Sequence, residues 1–262
     1  MSRPAPSPVY TLRGAGAPLN SLHFRCPGGE TPLLFSGSAK GAIHIWNLNS
    51  RRAERVVEGH SGQSILWLST LPSGDALISQ GRDMQICLWD LKEGRSEAVD
   101  SVWTGSVGFC QCSLLETSPS NYLLAFAGQE TEEIQITEMP SKKPVCTLMP
   151  DTKLGMVMCL QLWKLQDSVV LVNPGVSQLR IRDDGRLLAS AGWDHRVRVF
   201  GWKKLRPLAV LQYHTDMVLS VAFSDHQDPR QRLLAAGSKD QRISLWSIYN
   251  ETADKALQGS TD

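Results

Sequence analysis

The chain has 262 residues, of which 42% are hydrophobic and 20% are charged, and its 27 Lys and Arg residues nearly balance 26 Asp and Glu residues. A net charge of +1 provides no field that would attract nucleic acid or an anionic membrane, so neither is expected as a partner. The apolar fraction is too high for a disordered chain, and the length suffices for one large domain or two small ones.

Targeting and metal-binding signals are weak. The opening Met-Ser-Arg-Pro-Ala-Pro-Ser-Pro lacks the apolar core of a secretion signal, and no apolar run approaches the roughly 18 residues of a transmembrane helix. The six cysteines form no C-x-x-C pair and the histidines show no ligand spacing, so neither a metal nor a cofactor is expected. We therefore expect a protein of the cytoplasm and the nucleus that is not secreted.

Short alternating strands follow one another along the chain, and one hairpin pattern recurs. Each copy is an apolar strand, a turn of small residues and an alternating strand that ends in an aromatic residue or, once, in Ile. In chain order the copies cover residues 33–48, 76–91, 123–139, 187–202 and 233–248. Their spacing is close to the roughly 40–45 residues of a propeller blade.

Further strands flank these hairpins. An apolar alternation precedes each copy, at residues 19–24, 64–68, 107–112, 176–181 and 218–223. A short outer strand follows most of them, at residues 55–57, 144–148 and 207–211. Helical spacing is not sustained anywhere, so the sequence predicts an all-β fold with four strands per unit.

On these residues the chain resembles the WD40-repeat family, since Gly59-His60 lies in the turn before one unit and Trp89-Asp90 closes the same unit. Residues 33–48, 79–96 and 106–110 further resemble the family of the guanine nucleotide-binding protein β-subunit-like proteins and the fungal ASTRA-associated protein 1. The resemblance implies a β-propeller that serves as a non-enzymatic scaffold. It also implies protein partners: phosphatidylinositol-3-kinase-related protein kinases or the co-chaperone complexes that mature them.

Residue types of a catalytic triad occur in one unit, at His60, Ser79, Asp83 and Trp89. Parts of the same set recur at Ser190, Asp194, His214, Asp240 and Trp246. A hydrolase site is one interpretation. The other, which the WD40 resemblance implies, is a buried hydrogen-bond relay that joins the turn before a blade to the turn within it. Because a catalytic site has no reason to recur in each unit, the relay is favoured, although Ala236 replaces Ser in the last copy and Lys40 replaces Asp in the first.

The turn residues beside these aspartates, Arg82, Trp193 and Lys239, are candidates for a partner-binding face, together with Lys40 of the first copy. Trp and Arg dominate binding hot spots, and an aromatic residue in such a turn is unusual. The alternative is that Trp193 packs on a neighbouring blade and the cations are only solvated.

Three other functions compete with the scaffold. Substrate receptors of cullin ubiquitin ligases often carry W-D-x-R at the end of a blade, but residues 193–196 have these letters inside a turn, and residues 89–92 end in Lys. A G-protein β-like signalling scaffold would bind its γ subunit through a long N-terminal helix. Few residues precede the first strand and several are Pro, so no γ subunit is expected. An enzyme is the least favoured function.

The length is short for the seven blades that the family usually has, which would need about 308 residues at roughly 44 per blade. The shortage is local, because residues 156–163 and 168–172 predict two strands of a blade whose hairpin is missing. A six-bladed or irregular ring is possible in principle, but the abrupt break favours a shortened seven-bladed parent.

The predicted domain is therefore one propeller over residues 1–250, with an irregular junction near 164–176 and a polar tail at 251–262. It would hold five hairpin-bearing units and an orphan half-blade, lack about one to one and a half blades, and form an incomplete ring. Residues 9–13 are expected to add the outer strand of the last blade, because an open sheet edge invites aggregation.

Overall fold

A computed structural model describes residues 6–26, 32–71, 76–92, 96–106, 110–130, 132–149, 160, 162, 176–224, 226, 228 and 231–250. Across these residues the protein is all-β, and its helical structure consists of single 3-10 turns such as His60–Gly62 and Trp202–Lys204. Apart from residues 160 and 162, the predicted half-blade at 156–172 lies outside the described residues, as does the tail at 251–262.

The described residues form twenty strands, and their bounds in chain order are β1 Tyr10–Leu12, β2 Leu19–Arg25, β3 Leu33–Ser38, β4 Ala42–Asn47, β5 Arg52–Glu58, β6 Ile65–Thr70, β7 Ala76–Gly81, β8 Gln85–Asp90, β9 Ala98–Trp103, β10 Ser113–Ser118, β11 Asn121–Ala127, β12 Ile134–Met139, β13 Lys143–Leu148, β14 Val176–Ile181, β15 Leu187–Gly192, β16 Arg196–Gly201, β17 Arg206–Gln212, β18 Val218–Phe223, β19 Leu234–Ser238 and β20 Ile243–Trp246.

These strands form five four-stranded antiparallel sheets within the described part of the chain. Four sheets are simple meanders, β2 to β5, β6 to β9, β10 to β13 and β14 to β17. In the fifth, with the order β1-β20-β19-β18, the outer strand comes from the beginning of the chain. The five hairpin-bearing units and the all-β class predicted from the sequence are thus confirmed.

Burial changes from strand to strand within a sheet. The second strands β3, β7 and β15 are buried almost throughout, which requires the small Ser, Gly and Ala residues that they carry on both faces. The outer strands β9 and β13 are mostly exposed. Outer strands therefore carry a weaker apolar pattern than the hairpins, and β9 had no counterpart among the predicted strands.

The chain divides into two compact units. One consists of Met1–Ser38, His44–Val56 and Asn173–Asp262, and the other of Ala39–Ile43 and Val57–Val172. In the first unit, two apolar clusters hold the sheets together, with Leu12, Trp46 and Leu245 in one and Val199, Val221 and Trp246 in the other. In the second unit, a cluster that includes Trp67, Tyr122 and Phe126 joins the sheet of β6 to β9 to that of β10 to β13.

Strand β1 pairs antiparallel with β20, with Thr11 opposite Ser244 and Leu12 opposite Ile243. Its segment is held by two further contacts. Thr11 Oγ1 donates to Tyr213 Oη at 3.0 Å, and the Arg51 guanidinium lies 4.6 Å from the centre of the Tyr10 ring. The edge of the last sheet is thereby covered by a segment from the start of the chain.

The inner strand of the third sheet was predicted at 107–112 but forms at Ser113–Ser118. Residues 107–109 lie outside the described residues. The backbone at 110–112 is bound instead by the amide of Gln80, which donates to Cys110 O and accepts from Cys112 N, both at 3.0 Å. A side chain therefore takes the hydrogen bonds that a neighbouring strand would have made.

Candidate functional site

A chain of three hydrogen bonds runs through the sheet of β6 to β9. Trp89 Nε1 donates to Ser79 Oγ at 2.7 Å, and Ser79 Oγ lies 2.6 Å from His60 Nε2. His60 Nδ1 lies 2.8 Å from Asp83 Oδ1. These four residues, named the first relay below, are brought together as the sequence predicted.

The direction of the first relay follows from its chemistry. An ionised carboxylate only accepts, so the His60 Nδ1–H group donates to Asp83, and Nε2 is then the acceptor for the Ser79 hydroxyl. Ser79 Oγ in turn accepts the indole N–H of Trp89. Each donor thus has an acceptor, and no buried polar group of the relay is left without a partner.

Two glycines make room for the first relay. A Cβ atom at Gly81 would lie 2.2 Å from His60 Nδ1, and one at Gly59 would lie 2.4 Å from the Trp89 ring. His60 itself has a left-handed backbone, with φ 52°, inside the short 3-10 turn. The His60 ring occupies the space of a side chain at Gly81, and the Trp89 ring occupies that of a side chain at Gly59, so the first relay requires glycine at both positions.

The first relay has the Ser-His-Asp order of a hydrolase but not its accessibility. Ser79 is fully buried, with 0% exposure, and its oxygen already accepts the Trp89 N–H. A nucleophile needs an open approach for the substrate carbonyl and a nearby oxyanion site. This arrangement instead ties the turn before β6 to the turn between β7 and β8.

A second relay lies in the last sheet. His214 Nδ1 is 2.9 Å from Asp240 Oδ2, and His214 Nε2 is 2.8 Å from Ser244 Oγ. Trp246 Nε1 donates to the same hydroxyl at 2.8 Å. Burial is the main cause that lowers the pKa of His214, against the opposing effect of Asp240, so the neutral imidazole is favoured in this relay.

The hydroxyl of the second relay was missed by sequence reasoning. The pattern places a Ser at position 236, which is Ala, whereas the structure uses Ser244 from the next strand. Ala236 and Ser244 lie directly opposite each other in the pairing of β19 with β20. The only sign of this hydroxyl in the sequence is a Ser two residues before Trp246, on the strand that pairs with β19.

The predicted partial relay at Ser190 and Asp194 does not form. Asp194 accepts two hydrogen bonds from Arg198, at 3.0 and 2.5 Å, and this pairing is the main reason that the pKa of Asp194 is lowered. The indole position is occupied by Phe200, whose ring has no N–H to satisfy. Ser190 therefore has no indole N–H to accept, and Asp194 is paired with Arg198 of β16.

The first sheet has the Trp–Ser hydrogen bond of a relay but not the aspartate. Trp46 Nε1 donates to Ser36 Oγ at 2.9 Å, while Lys40 stands at the position of the aspartate. His44 stacks on the Trp46 ring with centres 5.6 Å apart, and its Nδ1 is buried without a hydrogen-bond partner among the described residues. Burial lowers the pKa of His44, which matches a neutral ring in this place.

The four candidate partner-binding residues occupy matching turns. Lys40, Arg82, Trp193 and Lys239 all lie between the second and third strands of their sheets, and all are exposed. The Trp193 side chain is 54% exposed despite its size. Trp193 and Lys239 belong to one compact unit, and Lys40 and Arg82 to the other.

Two further properties bear on function. Within the described ranges, no group of three or more His, Cys, Asp or Glu residues is arranged to hold a metal ion. The same residues include no helix of sufficient length and apolarity to cross a membrane.

Comparison with known proteins gives consistent matches. The family model for the WD domain, G-beta repeat, matches residues 52–90, 168–201 and 205–247. The chain is 40% identical to guanine nucleotide-binding protein subunit beta-like protein 1 of Mus musculus, over 94% of this chain and 97% of that protein. It is 24% identical to ASTRA-associated protein 1 of Aspergillus flavus, over 94% of this chain and 98% of the relative.

A shorter stretch is more similar to a yeast relative. ASTRA-associated protein 1 of Schizosaccharomyces pombe is 49% identical over 29% of this chain and 19% of its own length. Among solved structures, the β-propeller domain of Myceliophthora thermophila Cps50 (Swd1) matches with a TM-score of 0.67 and 15% identity, over 93% of this chain and all of that domain. This last similarity shows a β-propeller fold.

The alignment with the mouse relative is longer than the chain. It extends over 323 positions, against the 262 residues here, so at least 61 aligned positions of the relative have no counterpart in this chain. A difference of that size corresponds to more than one blade at roughly 40–45 residues per blade.

Proposed function

Because the chain belongs to the WD40-repeat family of guanine nucleotide-binding protein subunit beta-like protein 1 and ASTRA-associated protein 1, we propose that it is a non-enzymatic scaffold in co-chaperone-assisted maturation of phosphatidylinositol-3-kinase-related protein kinases. Its partners would be these kinases or their co-chaperones, in the cytoplasm and the nucleus. The observation that carries the proposal is similarity over almost the whole length of relatives named for association with ASTRA.

A protein-interaction role is the general property of this WD40 scaffold. Buried relays provide a rigid frame, and exposed turns on that frame provide variable contact residues. The first relay supports the non-enzymatic part of the proposal, since Ser79 is inaccessible and already bonded.

The proposed contact residues are Lys40, Arg82, Trp193 and Lys239. Trp193 is the strongest member, because a large aromatic side chain with 54% exposure gains much contact area when a partner covers it. Lys40, Arg82 and Lys239 lie in the equivalent turns of their own sheets and would contribute positive charge.

We further infer that residues 1–250 form one propeller shortened from a seven-bladed parent, with its irregular junction near 164–176. The local shortage in the repeat and the 61 or more unmatched positions of the mouse relative support this inference. Insertion after Val172 of the segment that the mouse relative has and this chain lacks should raise the melting temperature. An unchanged melting temperature would contradict the shortened ring.

Affinity purification with quantitative mass spectrometry tests the functional proposal. Tagged wild-type protein should recover kinases of this class or their co-chaperones, and its depletion should lower the abundance of those kinases. Trp193→Ala should reduce the recovery, whereas Trp103→Ala, at an exposed tryptophan on the outer strand β9, should not. Recovery of a cullin adaptor or a G-protein subunit in their place would overturn the proposal.

A further inference from the structure

Two of the exposed turns lie at the same end of neighbouring sheets in the first unit. Trp193 directly follows β15 and Lys239 directly follows β19. These strands pair with the starts of β14 and β18, and Ser177 Oγ near the start of β14 donates to Val218 O at the start of β18, at 2.9 Å. The tryptophan and the lysine therefore belong to one continuous edge of the unit.

Additional cations gather at this edge around Tyr213. The phenol accepts a hydrogen bond from Thr11, and this bond is the main cause that lowers its pKa, with Arg13 and Arg242 contributing in the same direction. Arg13 is exposed, and Arg242 follows Lys239 in the same turn, where Ser238 N donates to Arg242 O at 3.3 Å. Arg13, Trp193, Lys239 and Arg242 are called the turn surface below.

Two carboxylates near the turn surface are engaged within the protein. Asp240 is 5% exposed and faces His214 in the second relay, and Asp194 is paired with Arg198. Asp216 accepts from the backbone N–H of Met217 at 2.7 Å. Asp240 keeps its charge beside a neutral His214. The three cations Arg13, Lys239 and Arg242 outnumber the two acids Asp216 and Asp240, so the charge of this edge is positive, although the chain as a whole is nearly neutral.

We propose that the turn surface binds an acidic segment of the partner protein, with an apolar side chain of that segment seated on Trp193. This inference rests on the proposed scaffold function and adds the chemistry of the partner. Lys239, Arg13 and Arg242 complement carboxylate or phosphorylated side chains, and at an exposed site such pairs are sensitive to salt because the Debye length is about 8 Å at physiological ionic strength. One aromatic anchor with cations beside it fits a short peptide better than a nucleic acid, which requires a longer basic stripe.

Selection from a library of random 12-residue peptides displayed on phage tests this chemistry. Purified full-length protein should enrich sequences with several Asp or Glu residues beside Leu, Phe or Trp. At 50 mM salt, the best peptide should bind at least tenfold more tightly than a version with Asn and Gln in place of Asp and Glu. The same peptide should bind more weakly at 300 mM salt than at 50 mM, and fluorescence anisotropy measures both differences. Selected peptides without an acidic excess would overturn the inference.

Matched variants locate the binding. Trp193→Ala and Lys239→Glu should each weaken the selected peptide at least fivefold, while Trp103→Ala and Lys143→Glu, at exposed positions on outer strands, should stay within twofold. Equal losses for both pairs would contradict the assigned surface, and so would equally tight binding of a 12-nucleotide RNA. Unchanged melting temperatures of the variants exclude loss of fold as the cause.

The same variants separate this inference from the proposed function. If Lys239→Glu loses the peptide but wild-type protein recovers no kinase or co-chaperone from cells, the proposed function fails and the surface stands. If the kinases and co-chaperones are recovered equally by wild type and Lys239→Glu, the function stands and the turn surface is wrong.

Discussion

Each relay depends on one hydroxyl group that serves two neighbours. Ser79 and Ser244 accept an indole N–H and donate to an imidazole nitrogen, all at 2.6–2.8 Å. Removal of such a hydroxyl leaves two buried groups without a partner, and each costs about 1–3 kcal/mol. The relays are therefore sites where a change of one atom has a large effect on stability.

Ser79→Ala is expected to lower the free energy of unfolding by about 2–4 kcal/mol, because both His60 and Trp89 lose their partner. Urea unfolding followed by fluorescence measures this change. Ser190→Ala is the matched control in β15, since Ser190 is also buried but has Phe200 at the indole position, and it should cost less than about 1 kcal/mol. Equal losses at the two serines would show that the relay contributes nothing beyond burial.

The cross-strand exchange in the second relay predicts a rescue. Ser244→Ala should destabilise the protein by about 1–3 kcal/mol, and the double variant with Ala236→Ser should recover most of that loss, since it returns the hydroxyl to the opposite strand. Melting temperatures of wild type, both single variants and the double variant form the cycle that measures it. Additive losses in the double variant would disprove the exchange.

Part of the residue-level picture was accessible from sequence. His60, Ser79, Asp83 and Trp89 follow the repeat pattern directly, and the structure brings them together. Ser244 was not accessible, because a repeat pattern compares positions along strands, whereas the relay needs only a hydroxyl within reach. Pairing register, which determines what lies within reach, is a property of two strands and not of one.

At the scale of elements, the short strand β1 has a disproportionate role. Its three residues cover the edge of β20, and Leu12, with 1% exposure, enters the apolar cluster that also contains Trp46. The sequence predicts this strand over residues 9–13, and it forms over Tyr10–Leu12. Strand β9 escaped prediction because its side chains are largely exposed and lack apolar alternation.

Leu12→Ala is expected to lower the free energy of unfolding by about 2–4 kcal/mol, since it removes buried methyl groups and leaves a cavity. Val9→Ala, three residues earlier and 55% exposed, should change it by less than about 0.5 kcal/mol. Chemical denaturation of both variants gives the comparison. A loss for Leu12→Ala as small as that for Val9→Ala would mean that β1 does not secure the last sheet.

At the scale of the whole molecule, histidines connect stability to pH. Burial, with a further contribution from Arg180, lowers the pKa of His23 to about 4, and burial also lowers the pKa values of His44 and His214. The unfolded chain therefore binds protons near pH 6.5, where these folded histidines do not. The resulting stability is fully present above about pH 6.5 and is lost as the pH falls towards 4.

The melting temperature should accordingly fall between pH 7 and pH 5. His23→Asn should flatten this dependence by removing one of the proton-binding groups, whereas His195→Asn, at an exposed turn residue, should leave the slope unchanged. Thermal unfolding at half-unit steps of pH measures both slopes. The same slope for wild type and His23→Asn would contradict the role of His23.

The overall architecture was predictable because the hairpin recurs five times and periodic signals are reinforced by repetition. The sequence predicts the inner strand of the third sheet at 107–112, whereas the strand forms at Ser113–Ser118. The difference arises because the Gln80 side chain binds the backbone at 110–112. That contact joins positions 30 or more residues apart, and no local pattern reveals it.

The pairing of β1 with β20 also sets an order of events during protein synthesis. Thr11 emerges from the ribosome more than 230 residues before Ser244, its partner in the last sheet. At roughly 5–20 residues per second, β1 waits for about 10–50 s without its partner strand. We therefore expect the yield in the cell to depend on how well this segment is protected during translation, as well as on the stability of the finished fold.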